Sequence, residues 1–162
     1  MKPALLVIDM QKEFFNRSQA CDGSLKSAVE YINAAIALFR EKKLPIIAIQ
    51  HKAEYLKPGT PGFDVHENIK LSPQDLRIIK TYRNSFTKTG LAKQLRTLDV
   101  DTVLVTGYRA DNCILSTYRG AQDLDFTPII LKGSIASGNA EHIRFVEEIS
   151  DTITFGALKT LL

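Results

Sequence analysis

The chain has 162 residues, 44% of them hydrophobic and 24% charged. That length and balance fit one compact domain and exclude a disordered tail, a collagen-like chain and a disulfide-stapled miniprotein. Lys and Arg number 21 against 18 Asp and Glu, a net charge of +3, too small an excess to announce a nucleic-acid partner.

Cys21 and Cys113 stand far apart, in no metal-ligand or CxxC spacing. The chain therefore reads as reduced and cytoplasmic, without a disulfide framework or zinc knuckle. The apolar start at residues 4–8 is broken by Asp9 too soon for a secretion signal or a membrane span, so no membrane partner is expected.

In chain order, residues 4–8 form an apolar run that reads as a buried strand. Residues 25–41 follow with Val29, Ile32, Ala35, Ile36 and Phe39 on one helical stripe. A second apolar run at 45–49 leads into the Pro- and Gly-broken stretch 57–62 and a third strand at 77–80. Residues 90–98 repeat Leu91, Leu95 and Leu98 at helical spacing before a fourth strand at 102–106. A helix at 112–123, a strand at 128–131, a helix at 140–149 and a strand at 152–155 complete the series. Strand and helix alternate, which implies an open parallel sheet with helices on both faces. Ligands of such sheets collect at the carboxyl ends of the strands.

Three strand ends carry chemistry. Asp9 ends the first, Lys80 the third, and the turn Gly107 to Cys113 follows the fourth. An acid, an amine and a thiol thus project from one sheet edge. Cys113 falls in the first turn of its helix, where free N–H groups and the dipole favour thiolate, and a nearby ammonium adds to that effect. Asp9 is suited to accept the thiol proton and return it to a leaving group, with N–H groups of the turn holding an oxyanion. Taken singly, each has an ordinary alternative: a capping acid, a solvated lysine, a buried apolar cysteine. Cys21, beside Asp22, Gly23 and Ser24, reads as an incidental thiol in a polar turn.

These residues resemble the isochorismatase-like cysteine hydrolases. Asp9-Met10-Gln11 with Phe14 is similar to their opening D-x-Q-x-x-F. Lys80, with Ser85 and Phe86 five and six residues on, is similar to their K-x-x-x-S-x-F segment. Gly107 to Cys113, with Thr117 beyond, matches G-x-x-T-D-x-C-x-x-x-T except at Ala110, and Gly59 to His66 resembles G-T-x-G-x-x-x-H.

The resemblance implies a single α/β domain over 1–162, a Rossmann-like three-layer sandwich with a six-stranded parallel sheet of order 3-2-1-4-5-6. It implies Asp9 as general base, Lys80 as electrostatic partner and Cys113 as nucleophile. A cis peptide between Tyr108 and Arg109 and an oxyanion hole from the N–H groups of Arg109 and Cys113 are also implied, as is a homodimer or homotetramer.

Phe14, His51 and Tyr108 are the candidate pocket walls, although Phe14 reads equally well as core. Arg109 is suited either to a substrate carboxylate or to the surface. Lys132-Gly133-Ser134 replaces an Asp-Ala pair expected after the fifth strand. Metal-binding relatives carry Asp-x-His after the second strand. Here the sequence reads Gln50-His51-Lys52, and His51 with His66 alone makes a poor site, so no metal and no other cofactor is expected. The reading is a metal-independent hydrolase of a small amide or related C–N bond. The alternative is a silent or redox-responsive binding protein on the same fold.

Overall fold

The computed structural model describes residues Met1–Leu162. Six strands, β1 (Pro3–Ile8), β2 (Ile46–His51), β3 (Leu76–Lys80), β4 (Thr102–Tyr108), β5 (Thr127–Ala136) and β6 (Thr152–Ile153), form one sheet of order β3-β2-β1-β4-β5-β6. Every pairing is parallel. The strands alternate with α1 (Gln19–Glu41), α2 (Leu91–Thr97), α3 (Leu115–Asp123) and α4 (Ala140–Glu148), and α5 (Phe155–Leu161) closes the chain.

The two layers of helices explain the apolar composition of the strands. Along β1, Leu5 and Val7 join the core under α1 and α5, while Ala4, Leu6 and Ile8 join the core under α2, α3 and α4. A strand covered on both faces needs apolar residues at every position, which is why these runs are continuous and not alternating.

Several boundaries differ from the sequence reading. α1 begins at Gln19, six residues before the expected start at Leu25, because Ser18 Oγ caps it by accepting from Cys21 N–H at 3.1 Å. Cys21 is therefore buried in the first helical turn, with its thiol donating to Phe14 O at 3.6 Å, and does not lie in a polar turn. A 3-10 turn at Lys12–Phe14 and helix α5 were not expected. β5 extends to Ala136, so Lys132-Gly133-Ser134 lies inside it. There the pairing jumps from Val105↔Ile130 to Gly107↔Ile135, a bulge with Gly133 at φ 81°.

Candidate active site

Strand order brings the carboxyl ends of β1, β3 and β4 to one edge. Asp9, just past β1, holds a left-handed φ of 53° and donates its N–H to Ile49 O at 2.8 Å. Gln11 fastens this turn to the next strand. Its Nε2 donates to His51 O at 3.0 Å and Phe63 O at 2.9 Å, and its Oε1 accepts from His51 N–H at 2.7 Å. On the other side Gly107 sits at φ 119°, and a Cβ there would run into the Ile8 carbonyl, so only glycine permits this approach of β4 to β1. The Tyr108–Arg109 peptide is cis. The chain then enters a π-helical turn, Ala110–Ile114, that carries Cys113 into α3.

The buried Lys80 side chain gathers the group. Its Nζ lies 2.9 Å from Asp9 Oδ2, 3.3 Å from Cys113 Sγ, 3.3 Å from His51 Nδ1 and 3.2 Å from Tyr82 O. Asp9 Oδ1 is buried and has no hydrogen-bond partner. It is the open acceptor of the cluster. Burial pushes the Asp9 carboxyl above the usual range, with the Lys80 ammonium pulling the other way. Burial and then the Lys80 charge push His51 down, so its imidazole is neutral at pH 7.

The thiol behaves differently from the sequence expectation. Burial first, then the Asp9 carboxylate, raise Cys113 from 9.0 to about 12, and Lys80 offsets only part of this. A helix start and one ammonium do not outweigh desolvation and a neighbouring negative charge. The resting group is a thiol, with the Asp9 carboxyl group as its neighbour in the cluster.

Asp9, Phe14, His51, Tyr108, Arg109 and Cys113 line one cavity of about 190 Å³. The Phe14 and Tyr108 rings pack at 5.1 Å, and Phe14 also belongs to the core. Arg109 lies on Asp111 through two bonds of 2.9 Å, and its backbone N–H donates to nothing in the protein. Ala110 is fully buried and packs as an apolar residue. Sequence reading missed Arg17, Tyr55, Arg83 and Asn112, which also line the cavity. They lie in loops or turns, where no periodicity marks an inward side chain. A larger polar groove of about 550 Å³ beside α1 contains none of Asp9, Lys80 and Cys113.

The donor set does not fit a metal. His51 Nδ1 faces the Lys80 ammonium, while His66 stacks on Phe15 at 4.0 Å and accepts from Asn68 N–H at 3.2 Å. Nowhere in the protein are three or more His, Cys, Asp or Glu side chains placed so that they could hold a metal ion.

The isochorismatase domain family matches residues 3–149. The uncharacterised isochorismatase family protein YrdC of Bacillus subtilis (strain 168) is 30% identical over 140 residues, spanning 84% of this chain and 74% of that protein. Streptothricin hydrolase of Streptomyces noursei is 25% identical over 153 residues, covering 93% of this chain and 54% of the relative. Among solved structures, an isochorismatase family protein from Desulfovibrio vulgaris superposes with a TM-score of 0.89 at 20% identity, over 99% of this chain and 97% of that one.

Proposed function

The chain belongs to the isochorismatase family of hydrolases, and from that premise we propose that it cleaves a small amide or related C–N bond through a thioester on Cys113, without a metal. The observation that carries this reading is the convergence of Asp9, Lys80 and Cys113 in one cluster, which meets the cavity through Asp9 and Cys113.

The amide carbonyl enters above Sγ. Asp9 Oδ1 takes the thiol proton as sulfur attacks the carbonyl carbon, so thiolate forms only as it is consumed. The N–H groups of Arg109 and Cys113 stabilise the resulting oxyanion. Asp9 passes its proton to the leaving nitrogen, the C–N bond breaks, and ammonia or an amine departs. Water then attacks the thioester with Asp9 again as base, releasing the acid and restoring the thiol. The Lys80 ammonium, 2.9 Å away, favours the ionised form of Asp9 against the opposing effect of burial.

The small cavity favours a small substrate. The name of the Streptomyces relative, a hydrolase, is consistent with this class of reaction. The alternative, a redox-responsive binding protein, is disfavoured by a thiol held protonated to about 12, since oxidation follows thiolate character.

The test is ammonia or amine release from a panel of small amides. Wild type turns over at least one, Cys113→Ala loses at least ~10³-fold in kcat/KM, and exhaustive chelation leaves the wild-type rate unchanged. Turnover that survives Cys113→Ala overturns the mechanism.

A further inference from the structure

We propose that the cavity selects a small amide bearing a carboxylate, and that Arg83 receives this carboxylate. The inference rests on the hydrolase reading of the same site and goes beyond it by naming the substrate's charge.

All but one of the cationic side chains around the cavity have a partner or carry no charge. Lys80 is matched by Asp9 at 2.9 Å. Arg17 is held by Glu13 at 3.1 Å, and Arg109 by Asp111 at 2.9 Å. His51 is neutral at pH 7 because burial and Lys80 disfavour its cation. Arg83 alone among the cations lining the cavity forms neither an ion pair nor a side-chain hydrogen bond. One guanidinium without a protein partner therefore borders a hollow of about 190 Å³.

That volume is below the roughly 300–1,000 Å³ of drug-sized sites, so a ligand that reaches Cys113 is small and Arg83 is one of the few charged groups on the cavity wall. A guanidinium offers its N–H donors in a planar fork that fits a carboxylate.

Arg83 is exposed, and it also borders a second hollow on the side of Thr81 and Ser116, but its backbone is held in place. Its loop begins at Lys80, whose Nζ donates to Tyr82 O at 3.2 Å. On the far side, Ser85 N–H donates to Thr117 Oγ1 at 3.0 Å, fully buried. The backbone is fixed on both sides while the guanidinium stays free. Asn112, which also lines the cavity, makes no side-chain hydrogen bond within the protein.

Two alkylating probes that differ only in charge test this without any turnover. Iodoacetate and iodoacetamide each transfer a two-carbon group to sulfur, forming the S–C bond as iodide leaves and the thiol proton is lost. Modification of Cys113 is followed by the mass of its peptide at pH 8 and low salt. In wild type the iodoacetate-to-iodoacetamide rate ratio exceeds that of a small free thiol by about tenfold, the size expected of one charge-assisted contact. Arg83→Gln returns the ratio to near the free-thiol value, Arg83→Lys keeps most of it, and 1 M salt lowers it in wild type.

An identical ratio in wild type and Arg83→Gln overturns the inference, as does a wild-type ratio no higher than a free thiol's. Because alkylation needs no amide cleavage, these results leave the hydrolase reading standing. An Arg83-dependent ratio with no turnover of any amide overturns that reading instead.

Discussion

Asp9 and Lys80 act on the Cys113 thiol with opposite signs. The carboxylate raises its pKa and the ammonium lowers it, on top of a burial effect larger than either. The rate of Cys113 modification by neutral iodoacetamide should therefore keep rising past pH 9.0, the ordinary thiol value, toward about 12. Asp9→Asn removes a negative charge and moves the rise to lower pH. Lys80→Met removes a positive charge and moves it higher. A wild-type profile that levels off near the ordinary value refutes the assignment of the thiol as the resting form. The sequence placed Asp9, Lys80 and Cys113 at three strand ends, but the sign of the thiol shift was not legible there. It depends on how deeply Sγ is buried and how near the Asp9 carboxylate lies. Both are set by residues more than a hundred positions apart.

At the scale of elements, the loop after β3 and helix α3 are joined by a buried hydroxyl pair. Thr117 Oγ1 lies 2.8 Å from Ser85 Oγ and accepts from Ser85 N–H at 3.0 Å. A Cβ on Gly120 would run into the Asn84 amide, so α3 is bare where this loop crosses it. Thr117→Val keeps the shape but strands the Ser85 N–H, at a cost of about 1–3 kcal/mol. Urea unfolding should register that loss. Activity should fall further than a surface substitution explains, since the same loop carries the Tyr82 carbonyl on Lys80. Unchanged stability would mean that the pair does not anchor the loop.

Ser85 and Thr117 were visible in the sequence as motif letters, and the structure supplies their physical link. The strands were legible because burial on both faces makes them continuously apolar. The start of α1 was not, because Gln19 to Ser24 is mostly polar and small, and its helical state depends on the Ser18 cap. The bulge in β5 was hidden too, since it exists only in register with β4.

For the molecule as a whole, the ion pair of Asp9 and Lys80 joins β1 to β3 across the intervening β2, with both side chains withdrawn from water. Ionic pairs so placed contribute little net stability, because two desolvation costs offset the attraction, whereas removing one partner exposes the full cost of the other. Lys80→Met should therefore destabilise the fold by about 3–5 kcal/mol near neutral pH, while Asp9→Asn with Lys80→Met together should recover most of that loss.

The pH dependence of the single variant follows from the sign of the Asp9 shift. Its folded pKa is already raised by burial, and losing the ammonium raises it further. The penalty is thus absent below about pH 4, where the carboxyl is protonated even when unfolded, and grows as pH rises through the folded value. Urea denaturation of the four species in the cycle, at pH 4 and pH 7, measures both effects. A double variant as unstable as Lys80→Met at pH 7 would show that the pair is retained for stability. Recovery, with activity lost in every variant, would place its purpose in holding Asp9 charged beside the thiol.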